Sequence, residues 1–193
     1  MNSKQFVISV MSKDRPGIIA DIATVIYHNN GDLADLNQSV LGGYFTMMLI
    51  AEFEQTVTEE ILKEAFAKIE SDTVLEAIIK EAVVDFEDAD KALPGETYVV
   101  TAQGKNRKGL VKVLGDFFYG NRINVLDLVT VKRDEIYTMI FQVDLTPIVS
   151  MRELRDELAD LAKNENLEVV LQHNDIYMAT NEVGTAYGFN QKK

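Results

Sequence analysis

Two short segments of this chain carry residue types suited to holding a small zwitterion. They are Lys13-Asp14-Arg15-Pro16-Gly17-Ile18 and Lys105-Asn106-Arg107-Lys108-Gly109-Leu110, and each leads from an alternating apolar stretch into a helical one. Gly17 and Gly109 lack a Cβ, so the backbone can turn sharply and a guest can approach it closely. A helix starting there presents unpaired N–H groups and partial positive charge, which suit a carboxylate. Asp14 stands just before the turn, where it can accept hydrogen bonds from an ammonium group. An amino acid carries both charges on one carbon, so the pattern fits that class of ligand, although on spacing alone a Pro-Gly pair opening a helix is more commonly just a cap. Asn106 keeps the acceptor oxygen without the charge, so the two loops are expected to bind unequally.

Other chemistry finds little support in the residues. The chain has no cysteine, which removes disulfides, thiolate nucleophiles and thiolate metal sites. His28 and His173 occupy different places in their halves and read as surface or interface residues. No His-Glu-x-x-His helix, G-x-S-x-G elbow or phosphate-binding glycine loop occurs. Asp14 with Asp32 has no recognised ligand spacing and reads as a solvated pair. No catalytic residue, metal or cofactor is therefore expected. Net charge is −12, from 19 basic and 31 acidic residues. Such a surface repels phosphate backbones, so direct nucleic-acid binding is not expected. The basic run Lys105, Arg107, Lys108 and Lys112 reads as a solvated helix start. Tyr44-Phe45 reads as core and edge packing rather than a base-stacking platform.

The elements that must position these loops come twice. Asn106 aligns with Asp14 at an offset of 92 residues, and the offset holds without a gap: Tyr27 meets Tyr119, Asp35-Leu36 meets Asp127-Leu128, and Thr46-Met47 meets Thr138-Met139. A duplication this regular predicts two copies of one small domain, so any site should come as a pair. In the first copy, residues 5–11 alternate as a strand. Pro16 suits a helix's first turn, and the apolar stripe Ile18, Ile19, Ile22, Val25 and Ile26 runs to about Asn29, where Asn30-Gly31 supplies a left-handed cap. Leu33–Leu41 reads as a second strand and Gly42-Gly43 as a hairpin. Tyr44–Phe53, almost continuously apolar, reads as a central strand covered by helices. Thr58 caps a second helix with Leu62, Phe66 and Ile69 on one face, and Ala77–Phe86 forms a fourth strand. In the second copy the helix at Met151–Asn164 carries Leu154, Leu158 and Leu161.

The order strand–helix–strand–strand–helix–strand is the split βαβ, ferredoxin-like arrangement. The fold class is thus α+β: two tandem βαββαβ domains, each a four-stranded antiparallel sheet of order 4-1-3-2 with both helices on one face. The expected boundaries are domain 1 at 1–86, a linker at 87–95, domain 2 at 96–179 and a flexible tail at 180–193. No apolar run reaches the roughly 18 residues that span a membrane, and no signal peptide is read. A cytoplasmic location fits these features.

Asp14-Arg15-Pro16-Gly17-Ile18 followed by a helix, then Asn30-Gly31-Asp32-Leu33 opening a strand, resembles the ACT domain. Nearly the whole chain fits two in tandem, which is similar to the glycine cleavage system transcriptional repressor group. The resemblance implies that units pair side by side into larger sheets, with a small ligand, often an amino acid, at the interface near the first loop. Carried over residue by residue, Asp14, Arg15, Pro16, Gly17 and Ile18 match the loop, and Asp32 falls where many members have Asn. Asn106, Arg107, Lys108, Gly109, Leu110 and Asn124 are the second-copy equivalents. Lys108 in place of proline makes the second loop less rigid. Asp32 in place of Asn would add negative charge beside Asp14 and favour an amine or a cation there.

The resemblance further implies a non-enzymatic, amino-acid-binding regulator of glycine metabolism. It would be a homodimer, acting on transcription through a DNA-binding activator without touching nucleic acid or membrane itself. The alternative is a regulatory subunit or interaction module that docks on a metabolic enzyme. A scaffold that only dimerises is a third reading.

Overall fold

The computed structural model describes residues 3–82 and 94–181. The chain divides into two compact units, Met1–Asp90 and Lys91–Lys193. The first contains β1 (Ser3–Lys13), α1 (Ile18–His28), β2 (Asp32–Leu41), β3 (Tyr44–Glu54), α2 (Glu59–Ala67) and β4 (Glu76–Glu81). Its sheet runs β2-β3-β1-β4 with every neighbouring pair antiparallel. The second contains β5 (Thr97–Lys105), α3 (Leu110–Gly120), β6 (Asn124–Arg133), β7 (Ile136–Asp144), α4 (Met151–Glu165), β8 (Glu168–His173) and α5 (Asn174–Asn181). Its sheet order, β6-β7-β5-β8, repeats the first. These are two tandem ferredoxin-like units, in the strand order the sequence predicts.

Alternation decides which face of each sheet is covered. In unit 1, Phe6, Ile8 and Val10 of β1, Phe45, Met47, Leu49, Ala51 and Phe53 of β3, and Ile79 of β4 share one core with Ile18, Ile22 and Ile26 of α1 and Leu62 and Phe66 of α2. β3 is apolar on both faces, but only one lies beneath helices. Met48 stays 58% exposed on the other, so the apolar run of β3 reaches beyond the face that the helices cover. In unit 2 the equivalent core joins Val100, Ala102, Met139, Phe141 and Val143 to Leu110, Leu114, Phe118, Leu154 and Leu158.

Several local expectations need correction. α1 begins at Ile18 with Gly17 as a left-handed N-cap, φ 91°, so Pro16 stands before the helix rather than in its first turn. Asn30, not Gly31, takes the left-handed conformation after α1, at φ 54°, and Arg122 repeats it at φ 56°. Gly31 is small for a different reason: a Cβ there would stand 2.3 Å from Phe53 Cε1. Gly42 and Gly43 do take positive φ in the hairpin, at 59° and 81°, as the I′ turn requires. Thr58 caps α2 through its side chain, 3.4 Å from the Ile61 amide.

α5 was not legible in the sequence. It follows β8 directly and lies on the sheet face opposite the other helices, where Tyr177 packs with Val99 and Ile140. The Gln142 amide donates to Asn174 Oδ1 at 2.9 Å. α5 includes Thr180 and Asn181, so the expected tail begins too early. Its remainder, residues 87–93 of the expected linker and the end of the expected fourth strand lie outside the described residues.

Candidate ligand loops

β1 ends at Lys13, opposite Tyr44 of β3. The next amide, Asp14 N–H, donates to the Gly43 carbonyl at 3.0 Å, and Asn106 N–H donates to the Glu135 carbonyl at 2.6 Å. The hairpin after the second strand of each unit therefore anchors the loop at an equivalent position. The chain then turns through Gly17 at φ 91° and Gly109 at φ 90°, a conformation that costs any residue with a Cβ. A Cβ at Gly109 would meet nothing within 4 Å, and one at Gly17 would meet only the Arg15 guanidinium at 3.6 Å. The space over both loops is open, and the glycines are required by backbone angle rather than by crowding.

The first bond closing α1 is Asp21 N–H to the Gly17 carbonyl, and Val113 N–H to the Gly109 carbonyl closes α3. Neither helix has a side-chain N-cap. Among the described residues no protein acceptor completes the amides of Ile18, Ile19 and Ala20, or of Leu110, Val111 and Lys112. These donors, at the positive ends of two helices, are what each loop offers an anion. The side chains of Ile18 and Leu110 are buried in their cores, so these two residues present backbone only. Asp14, Pro16, Asn106 and Lys108 are exposed.

The arginines are committed elsewhere. Arg15 Nε donates to Thr73 Oγ1 at 3.0 Å, one terminal nitrogen to the Pro16 carbonyl at 3.2 Å, and the other to Asp21 Oδ2 at 2.5 Å. Arg107 bonds the Glu165 carboxylate and reaches its carbonyl at 3.4 Å. Thr73 and Glu165 are equivalent under the 92-residue offset. Both arginines thus brace the loop against the unit's second helix at its C-terminal side, Arg15 through the connection that follows α2 and Arg107 through the last residue of α4. Buried Ser12 joins the brace, its Oγ 3.0 Å from Thr73 Oγ1 and 2.9 Å from the Val74 carbonyl. Sequence reasoning missed Ser12, Asp21 and Thr73. The repeat conserves the position but not the chemistry, so the offset gave no signal. An open cleft of about 350 Å³ beside them is lined by Lys13, Tyr44, Asp72 and Thr73 among others.

The fold does not bring Asp14 and Asp32 together within one unit. β1 and β2 both pair antiparallel with β3, so they run the same way. Asp32 opens β2 in the row of Glu52 and Gln5, whereas Asp14 follows the last residue of β1. At about 3.3 Å per residue they stand roughly 30 Å apart along the sheet. Within one unit the two carboxylates therefore do not share a pocket, and Asn106 and Asn124 are separated in the same way.

The described carboxyls held below their ordinary value are Glu59 and Glu60 in the first turn of α2, by hydrogen bonds from the Glu81 amide and from Glu60's own amide respectively. Neither belongs to the loops. His28 ends α1, and His173 lies on β8, where its Nδ1 accepts the Asp175 amide at 3.3 Å. No cluster of three or more His, Asp or Glu suited to a metal occurs among the described residues. No described helix is long and apolar enough to cross a membrane.

Comparison with known proteins converges on one family. An ACT-domain model matches residues 4–75. A UPF0237 protein of Methanopyrus kandleri is 30% identical over 86 residues, covering 44% of this chain and 96% of its own. One from Methanosarcina mazei is 42% identical over 52 residues, 27% of this chain; the match spans only 56% of that relative's length. Among solved structures, a protein from Galdieria sulphuraria of unknown function superposes with TM-score 0.65 at 17% identity, covering 89% of this chain and 99% of the other. A provisionally assigned glycine cleavage system transcriptional repressor superposes with TM-score 0.66 at 16% identity, covering 89% and 98%. At these identities the two structures speak for the fold.

Proposed function

This chain belongs to the ACT-domain family, and from that premise we propose that it is a non-enzymatic regulatory protein that senses a small amino acid. The uncompleted amides beyond Gly17 and Gly109 carry the reading, because they present donors to a carboxylate at the same place in both units. Asp14 would accept the ligand's ammonium group, and Asn106 would do so without charge assistance. Asp32 and Asn124 stand at the far end of each sheet. They would reach a ligand only across a pairing of two units, each supplying the end the other lacks. Arg15 and Arg107 hold the loops rather than the ligand.

Binding would favour one arrangement of paired copies over another and so change the surface shown to a protein partner. The partner would be a DNA-binding activator, the output transcription of amino-acid metabolism genes, glycine metabolism first, and the location the cytoplasm. The shared fold with the glycine cleavage repressor structure supports this choice of output.

Calorimetric titration of the full chain with each of the twenty amino acids tests the reading. Heat with one or a few small amino acids, abolished by Gly17→Val with Gly109→Val, is expected. No heat and no thermal shift with any of them would remove the sensor role and leave a docking module or scaffold.

A further inference from the structure

Unit 1 leaves one face of its sheet open. In register across it lie Ile78, Ser9 and Met48, then Lys80, Val7 and Ile50 on one side and Glu76, Met11 and Thr46 on the other. Ile78 is 67% exposed and Met48 58%. In unit 2 the residues 92 positions on from Val7 and Met48 are Val99 and Ile140, and there α5 lies over them, leaving 1% and 5% exposed. The chain thus covers this apolar surface in one unit and presents it in the other.

We propose that the open face of unit 1 is a homodimer interface in which two copies stack sheet on sheet about a two-fold axis along the Ile78–Ser9–Met48 row. The charge pattern argues for a second copy as the occupant. A half turn about that row lays each strand over its own counterpart running the opposite way. Ile78 then meets Ile78, Met48 meets Met48, and Met11 lies over Val7. Glu76 of each copy lies over Lys80 of the other, and Lys13 lies over Gln5, next to Glu52 in its row. Opposite charges meet at the corners and apolar residues at the centre, the self-complementarity an isologous contact requires. The usual offset of about 30° between packed sheets moves corner residues by about 4 Å, within reach of Lys and Glu. Lys80 can turn to meet it: its ion pair with Glu59 is long, 3.9 Å, and its side chain is 72% exposed. With α5 over the matching face of unit 2, the described residues of each chain offer one such surface, so assembly through it closes at two copies instead of propagating. The inference stands apart from amino-acid binding and from edge-to-edge pairing of strands.

Sedimentation equilibrium of the full chain tests it, without any amino acid. A dimer is expected. Met48→Glu and Ile78→Glu should each weaken it by roughly tenfold or more while far-UV circular dichroism stays unchanged, since both side chains are exposed. Lys80→Glu should weaken it, and adding Glu76→Lys should restore it, because a two-fold axis pairs these positions with each other. A chain that is monomeric at every concentration overturns the proposal. So does a dimer indifferent to Met48→Glu, or failure of the charge exchange to restore association, which would point to a foreign helix or sheet as the occupant.

Discussion

Gly31 makes room for Phe53: the ring occupies the place a Cβ at residue 31 would take, 2.3 Å from Cε1. The equivalents in unit 2, 92 positions on, are Ile123 and Leu145, both buried. The two units fill one volume by opposite divisions, small with large and medium with medium. Gly31→Ala is expected to destabilise unit 1 by about 1–3 kcal/mol through overpacking. Gly31→Ile with Phe53→Leu should recover much of what Gly31→Ile alone loses. Amide hydrogen exchange in β3 reads unit 1 separately, which a global melt of a two-unit chain does not.

Asp14 and Asn106 occupy the same place in two otherwise parallel loops. If an ammonium group is held there, Asp14→Asn should weaken binding at the first loop by roughly tenfold, the difference between a charge-assisted and a neutral hydrogen bond. Asn106→Asp should strengthen the second. Titration of each variant with the amino acid found by calorimetry checks both directions, and unchanged affinity in both would place the ammonium group elsewhere.

Arg15 is spent on protein partners, yet its replacement should be felt at the loop. Arg15→Ala removes the bonds to Thr73 and Asp21. The side chain is 18% exposed, and a stability loss of about 1–2 kcal/mol is expected. Exchange of the Asp21 amide, which closes the first turn of α1 on the Gly17 carbonyl, should quicken as the brace is lost. Thr73→Val should reproduce part of the effect, whereas Arg15→Lys should not rescue it, because one ammonium cannot span the partners that the guanidinium fork reaches.

Glu59 gives a pH signature. Its carboxylate accepts the Glu81 amide at 3.1 Å and pairs with Lys63 at 3.1 Å, which holds it below its ordinary value of 4.5. A group lowered in the folded state stabilises the fold above its unfolded value and ceases to do so as pH falls through the folded one. Glu59→Gln should therefore lower the melting temperature slightly near neutrality, and the gap from the parent chain should close in strong acid. A gap that persists in acid would mean that packing, not charge, ties α2 to β4.

The repeat made the architecture legible because strand alternation and helical stripes were copied together: Phe6, Ile8 and Val10 alternate as Tyr98, Val100 and Ala102 do. Both loop glycines were readable for the same reason, since positive φ excludes most other residues. The brace was not, because Thr73 and Glu165 satisfy the same arginine position with different groups. α5 was missed because it buries chiefly one residue, Tyr177, and so leaves no periodic stripe. The distance between Asp14 and Asp32 within a unit was not legible, because it depends on β1 and β2 running parallel on either side of β3, which puts the end of one far from the start of the other.

That separation has a consequence for any binding measurement. A guest that needs both ends must recruit them from two units, and where these belong to different chains its apparent affinity becomes a property of the solution as well as of the site. Dilution would then empty the sites even at constant guest level, by mass action. A response that fades in a dilution series would report that two chains share each bound molecule.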